Sequence, residues 1–205
     1  MDFNRLVARA RNILLTPKTE WPVIAGEPTS VSQLFTGYVL ILAAIPAVAG
    51  FIKVSVIGMA VPFMGTIRLG MGAGIGQMLL QYGLALGMTF VLALIIDALA
   101  PTFGGEKNLV KSLQLIAYSY TAAWIAGIFH IVPVIGSLLA IAAAIYSLYT
   151  FYLGVPAMKK CPQDKAVVYT IVVVVCGIVV GAVLFNVLFA VIAGGSTMGM
   201  MGTGR

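Results

Sequence analysis

Five long apolar stretches dictate what this chain can fold into. They cover about residues 33–56, 75–98, 113–132, 134–155 and 166–193 of 205. Each is near or above the roughly 20 residues that an α-helix needs to cross the hydrocarbon core of a bilayer. Charged residues make up 9% of the chain, against about 25% in a soluble domain. That is too little charge for a water-facing surface, so lipid is the main solvent, and lipid tolerates only structures whose backbone bonds to itself. The fold class expected is all-α: a polytopic membrane protein of five transmembrane helices preceded by a short amphipathic helix. The third and fourth runs meet at Pro133 with almost no linker, which reads as a tight hairpin.

The cations set a direction. With the N-terminus placed in the cytoplasm, the inner segments hold Arg5, Arg9, Arg11, Lys18, Lys107, Lys111, Lys159, Lys160 and Lys165, and the outer ones hold Lys53, Arg68 and Arg205. Nine against three is the bias of a membrane protein with its N-terminus inside and its C-terminus outside. The net charge of +6 is a consequence of that topology. No Lys/Arg stripe runs along a soluble helix, so no nucleic-acid partner is expected. The domain division expected is a cytoplasmic amphipathic segment over 1–30, a five-helix membrane domain over 31–195 and a flexible tail over 196–205. No cleavable leader is expected, because the first apolar run begins only near Leu34. Cys161 and Cys176 are separated by roughly 22 Å if the connection is helical, too far for a disulfide.

Residues 2–14 read DFNRLVARARNIL. Phe3, Leu6, Val7 and Ala10 recur at helical spacing, with Arg5, Arg9 and Asn12 on the other side. Such a helix lies on an anionic membrane surface, with Arg5, Arg9 and Arg11 as its cations, or packs beneath the bundle. Thr16-Pro17 is expected to end it, and Trp21-Pro22 to mark a loop with an interfacial aromatic. The Gly- and Met-rich segment 57–76 is expected as an outer loop. Gly83/Gly87 and Gly177/Gly181 carry the four-residue spacing that lets membrane helices approach closely, within the bundle or between copies.

Few residues offer chemistry. Asp97 is the acid within an apolar run, at the inner end of the second helix, with Lys107 or Lys111 as the expected partner. An acid at such a place serves an ion- or proton-coupled step or simply marks the boundary. His130 falls at the opposite end of the third run and cannot meet Asp97. The hairpin carries Tyr118, Ser119, Tyr120 and Trp124 on one arm and Tyr149 and Tyr152 on the other. These form an aromatic belt with interhelical hydrogen bonds, or line a polar pocket for a lipid headgroup or a peptide. No serine–histidine–acid set, carboxylate pair, metal-ligand spacing or phosphate loop is present, so no enzyme activity, metal or cofactor is expected.

Several stretches carry a resemblance. TPKTEW (16–21), LILAAIPAVAGFI (40–52), FGGEKNLVKSLQLIAYSYTAAWIAGIFHIVPVIG (103–136) and YSLYTFYLGVPAMKKCPQDKAV (146–167) follow one another in the order and spacing of the Yip family, the Ypt/Rab-interacting membrane proteins. The chain resembles its bacterial inner-membrane branch, with Tyr149, Tyr152, Gly154, Lys165 and Ala166 at matching places. The resemblance implies a five-helix bundle in the bacterial inner membrane and a non-catalytic role. The expected partners are membrane lipids with anionic headgroups, other membrane proteins or a second copy of the chain. GTPase binding does not carry over, because the long polar N-terminal region of the eukaryotic relatives is missing. The alternative reading is a small channel or transporter, oligomeric or not, with a Tyr/Ser-lined pathway near Asp97.

Overall fold

A backbone in lipid has only its own donors and acceptors to bond with, and helix is the local answer. The computed structural model describes the backbone of residues 3–61 and 65–201, and leaves the side chains at 60, 61, 133, 185 and 187–201 undescribed. Its helices are α1 (Phe3–Leu15), α2 (Pro17–Gly26), α3 (Val31–Leu34), α4 (Leu40–Phe51), α5 (Met71–Leu99), α6 (Leu109–Ser119), α7 (Thr121–Ala126), α8 (Pro133–Lys159) and α9 (Gln163–Met201). Four stretches among the described residues are long and apolar enough to cross a membrane: Val31–Ile57, Met71–Phe103, Val134–Lys159 and Gln163–Leu184.

The first of these is opened by a capping box, in which Ser30 and Gln33 each satisfy the other's backbone N–H. It then passes through α3, a π turn, α4 and a second π turn at Ile52–Ile57. Pro46 sits inside α4. A Cβ on Gly127 would come 2.6 Å from the Cβ of Pro46, so glycine is what lets the two segments touch.

The run at 113–132 departs from the single rod expected. It folds as α6, α7 and a 3₁₀ turn at Gly127–Ile131, and no piece of it has spanning length. The break lies beside Thr121, whose hydroxyl donates to the Tyr118 carbonyl and bonds Tyr38 Oη, both at 2.7 Å. A hydroxyl side chain that competes for backbone acceptors interrupts a helix in this way. The chain reverses at Val132 and enters α8 with Pro133 in its first turn. A Cβ on Gly136 would stand 2.0 Å from the Phe129 carbonyl oxygen, so that reversal also requires glycine.

Three further differences concern segments read as loops. Thr16-Pro17 begins a second helix rather than only ending the first, because proline at the first helical position gives up an N–H that has no partner there anyway. Trp21 is therefore not interfacial: it is 1% exposed and its indole N–H donates to the Thr150 carbonyl at 3.0 Å. The segment 57–76 contains a short antiparallel ribbon, Met59–Val61 against Gly65–Ile67, before α5 begins. The tail expected at 196–205 falls on residues whose side chains lie outside the described set.

The core sits toward the end where α2, α6, the C-terminal half of α8 and the start of α9 converge, with Trp21, Ile24, Leu113, Leu115, Val155, Ala166 and Tyr169 buried. Gly177 faces Leu92 of α5 and Gly181 lies near Met88, whereas Gly83 and Gly87 meet nothing within 4 Å. Small residues thus seat α9 on α5, and the other glycine pair has no such contact among the described residues.

Gly154 is the tightest test of this packing. A Cβ there would stand 2.6 Å from Leu115 Cδ1 and from Trp21 Cε2. Gly154→Ala is expected to destabilise by about 1–3 kcal/mol through overpacking. Gly83→Ala is expected to be neutral. Thermal unfolding of both variants in detergent checks the contrast.

Candidate functional site

Charge inside a bundle is tolerated only when it is paired and hydrogen-bonded, so the paired charges locate what this fold protects. They gather at one end. Asp97, near the end of α5, accepts from the backbone N–H of Asn108 at 2.6 Å, from Ser112 Oγ at 3.1 Å and from Lys159 Nζ at 2.8 Å. Lys159, at the last turn of α8, has no exposed side-chain surface. Its ammonium also reaches Ser112 Oγ at 2.8 Å and the Asn108 carbonyl at 3.2 Å. An ammonium has three donors, and each has an acceptor here.

The neighbouring loop builds this arrangement. Gly104 takes a left-handed φ of 76°. A Cβ on Gly105 would lie 2.9 Å from the Lys159 carbonyl oxygen, to which Glu106 N–H donates at 2.8 Å. Asn108 then caps α6 through the N–H of Lys111. The pairing corrects the expectation for Asp97, which named Lys107 or Lys111. Lys111 instead donates to the C-terminal carbonyls of α2, Ile24 at 3.3 Å and Ala25 at 2.7 Å, where a cation also suits the helix dipole.

A second cluster fixes the N-terminal helices. Arg9 bonds Glu20 with one guanidinium nitrogen and Glu27 with the other, and its carbon stands 5.8 Å from the centroid of the Tyr118 ring. Burial alone would lower the Arg9 pKa, but the hydrogen bond and charge of Glu27, with the charge of Glu20, carry it upward. Arg9 is therefore corrected from a membrane-facing cation to an inward one. Leu6, Ala10 and Ile13 are buried beside it, while Arg5 and Arg11 remain exposed with Phe3, Val7 and Leu15.

The hairpin aromatics do not form one pocket. Tyr118 is buried and packs edge-on against Tyr38 at 4.7 Å and Trp21 at 6.5 Å. Ser119 is buried with its hydroxyl lacking a partner among the described residues. Tyr120, two residues on from Tyr118 and so on another side of the helix, packs edge-on to the buried Trp124. It lines a cavity of about 240 Å³ with Leu92, Ser147, Phe151 and Gly177. Tyr149 is exposed beside Tyr146, whose hydroxyl donates to the Leu14 carbonyl at 2.6 Å. Tyr152 is half-buried against the core. Asp97 meets none of these residues in the hydrogen bonds above. Among the described residues no three His, Cys, Asp or Glu side chains are grouped to hold a metal ion.

Sequence reasoning did not find Lys159, Ser112, Glu20 or Glu27. The usable signal was the scarcity of acids: each carboxylate in so apolar a chain needs a cation, and the two nearest in sequence need not be the nearest in space.

The family model of the Yip1 domain matches residues 11–201. Two relatives, the inner membrane protein YohC of Escherichia coli strain K12 and that of Escherichia coli O6:H1 strain CFT073, are each 25% identical over 170 residues, which is 82% of this chain and 87% of theirs. No solved structure matches the chain.

Three substitutions probe the clusters. Asp97→Asn strands the Lys159 ammonium in the interior and is expected to cost about 3–5 kcal/mol, whereas Asp97→Asn with Lys159→Met removes the charge and recovers most of that loss. Thermal unfolding of single and double variants measures the coupling. Arg9→Met is expected to free α1 from α2, which hydrogen exchange reads as lost protection confined to residues 3–27.

Proposed function

The chain belongs to the Yip1 domain family, and from that premise we propose that it is a non-catalytic integral protein of the bacterial inner membrane that organises lipids or protein partners there. The observation that carries this reading is the pairing of the charged groups in the Asp97 and Arg9 clusters. Lys159 has an acceptor for every donor, Asp97 accepts three hydrogen bonds from the protein, and Arg9 holds two carboxylates. These groups join helices and leave nothing free to carry an ion. Neither Tyr118 nor Tyr149 lines any of the three cavities described for the chain, and the one that Tyr120 and Ser147 line is otherwise apolar and does not include Asp97, which weighs against a polar solute pathway near Asp97. The exposed Phe3, Val7 and Leu15 of α1, with Arg5 and Arg11, suit an anionic lipid surface. The relatives named YohC are inner membrane proteins, which supports the same compartment for this chain.

The composite run from Leu109 to Ile131 serves in this reading as the third of five crossings. The inner excess of cations then places the N-terminus in the cytoplasm and the C-terminus outside. Labelling of single cysteines introduced at Asn4 and Thr203, with Cys161 and Cys176 replaced by serine, is expected to place the two on opposite sides. Crosslinking and lipid analysis of the purified protein are expected to recover an enriched anionic phospholipid or a reproducible protein partner, and recovery of neither overturns the proposal. Solute flux in reconstituted vesicles is expected to equal that of empty ones. A flux that Asp97→Asn abolishes would replace the proposal with transport.

A further inference from the structure

All the carboxylates of the chain lie at Asp2, Glu20, Glu27, Asp97, Glu106 and Asp164. In the topology proposed above every one of them belongs to the cytoplasmic end. The opposite end has cations and no acid. Lys53 is the cation there that matters: it is half-buried in the π turn Ile52–Ile57, inside the first membrane-length stretch. Among the described residues its ammonium has no ion pair and no hydrogen bond.

Lys53 lines two cavities. One, of about 180 Å³, lies between the end of the first span and α5, with Gln77, Gln81 and His130 in its wall. The other, of about 340 Å³, extends from Lys53 and His130 to Ser137 and Ile141 of α8. Lys53 and His130 stand in the walls of both, and the two cavities flank them as one polar cleft region. Gly74 belongs to that wall, and a Cβ on it would stand 1.9 Å from Ser55 Oγ, a buried hydroxyl with no partner among the described residues. The polar side chains of the cleft are an ammonium, two carboxamides, an imidazole and a hydroxyl, with no carboxylate. The rest is apolar: Phe51, Val54, Met78, Val132 and Ile141.

A lone ammonium at this depth is costly unless it meets an anion or reaches water. No Asp or Glu side chain lies at this end in that topology, and none lines the cleft. The ligand that fits is a singly charged group with several acceptor oxygens carried on an apolar stem, and a membrane offers that as the phosphodiester of a lipid. We propose that the Lys53–His130–Gln77–Gln81 cleft binds the phosphate of an anionic phospholipid in the outer leaflet. This deepens the lipid-organising reading and rests on it and on its topology. Lys53 provides the charge, Gln77 and Gln81 donate to the phosphate oxygens, and the apolar wall receives the first part of an acyl chain.

Native mass spectrometry of the full chain tests this, with phosphatidylglycerol competing against phosphatidylcholine. The wild type is expected to retain phosphatidylglycerol selectively. Lys53→Gln is expected to lower that retention about fivefold, the scale of one Lys at an anionic surface, while Lys53→Arg keeps it. Gln77→Leu with Gln81→Leu is expected to lower retention without touching the charge, so the site is tested even if one variant folds poorly. Arg68→Gln removes an exposed charge at the same end and is expected to change nothing.

Retention unaltered by Lys53→Gln and by the glutamine pair overturns the cleft while leaving the lipid-organising reading in place. A wild type with no lipid preference removes both. Thermal stabilisation by inorganic phosphate alone in detergent, without phosphatidylglycerol selectivity, overturns the lipid assignment in favour of a free-anion site.

Discussion

A lysine ammonium with no exposed surface survives in this interior because three groups from three parts of the chain converge on it. Asp97 comes from α5, Ser112 from α6, and the Asn108 carbonyl from the loop between them, while Lys159 itself ends α8. A buried ion pair is weak evidence for stability, since desolvation offsets most of its attraction. Its strength is geometric. The observed register of α8 against α5 and α6 brings all three donors of the ammonium to acceptors, so the pair favours this packing among the many that apolar helices in lipid would otherwise permit. Gly105 is needed because the loop passes against the backbone of Lys159 to reach that arrangement, and Gly104 because the turn before it takes a left-handed φ.

The N-terminal layer depends on this packing. Trp21 can lie on α8 only where Gly154 leaves room for its ring, and its N–H is satisfied only by the Thr150 carbonyl one turn away. Tyr118 meets that ring on one side and Arg9 on another. A displaced α6 would therefore open both the aromatic contact and the cover over Arg9. Two stretches that carry the family resemblance, TPKTEW and YTFYLG, are 129 residues apart at the Trp21–Thr150 bond, and they touch there. Their residue types follow from one contact: an aromatic that needs a hole and an acceptor, and a glycine that provides the hole.

The positions of the apolar runs, the reversal at Pro133 and the amphipathic start were legible because each is a local property of sequence. The break at Tyr120 was not, because a Tyr-Ser-Tyr-Thr string is compatible with an unbroken helix until Tyr38 arrives to hold Thr121. Arg9 was misread for a related reason. A helical projection assigns arginine to the wet side, and nothing in residues 2–14 announces that Glu20 and Glu27 will fold back over it. Asp97 was given a neighbour in sequence, but its partner lies 62 residues away. In a chain this poor in charge, ion pairs are long-range facts. The site was legible as a list of residues and not as a set of pairs.

One rule then accounts for both ends of the bundle. Inside lipid a polar group is matched or it is costly, and Glu20, Glu27, Asp97 and Glu106 are each paired with a cation from another part of the chain. That end closes on itself, and its bonds hold helices together instead of holding a ligand. The far end has no acid at all, yet it keeps a half-buried lysine inside a spanning helix, two carboxamides and an imidazole around one cleft. Were Lys53 only a boundary cation, an arginine-like reach to water would suffice, and there would be no reason for glutamines on the facing helix to share its cavity. The donors converge where no carboxylate of the described residues faces them, and the proposed phosphodiester supplies the missing negative charge.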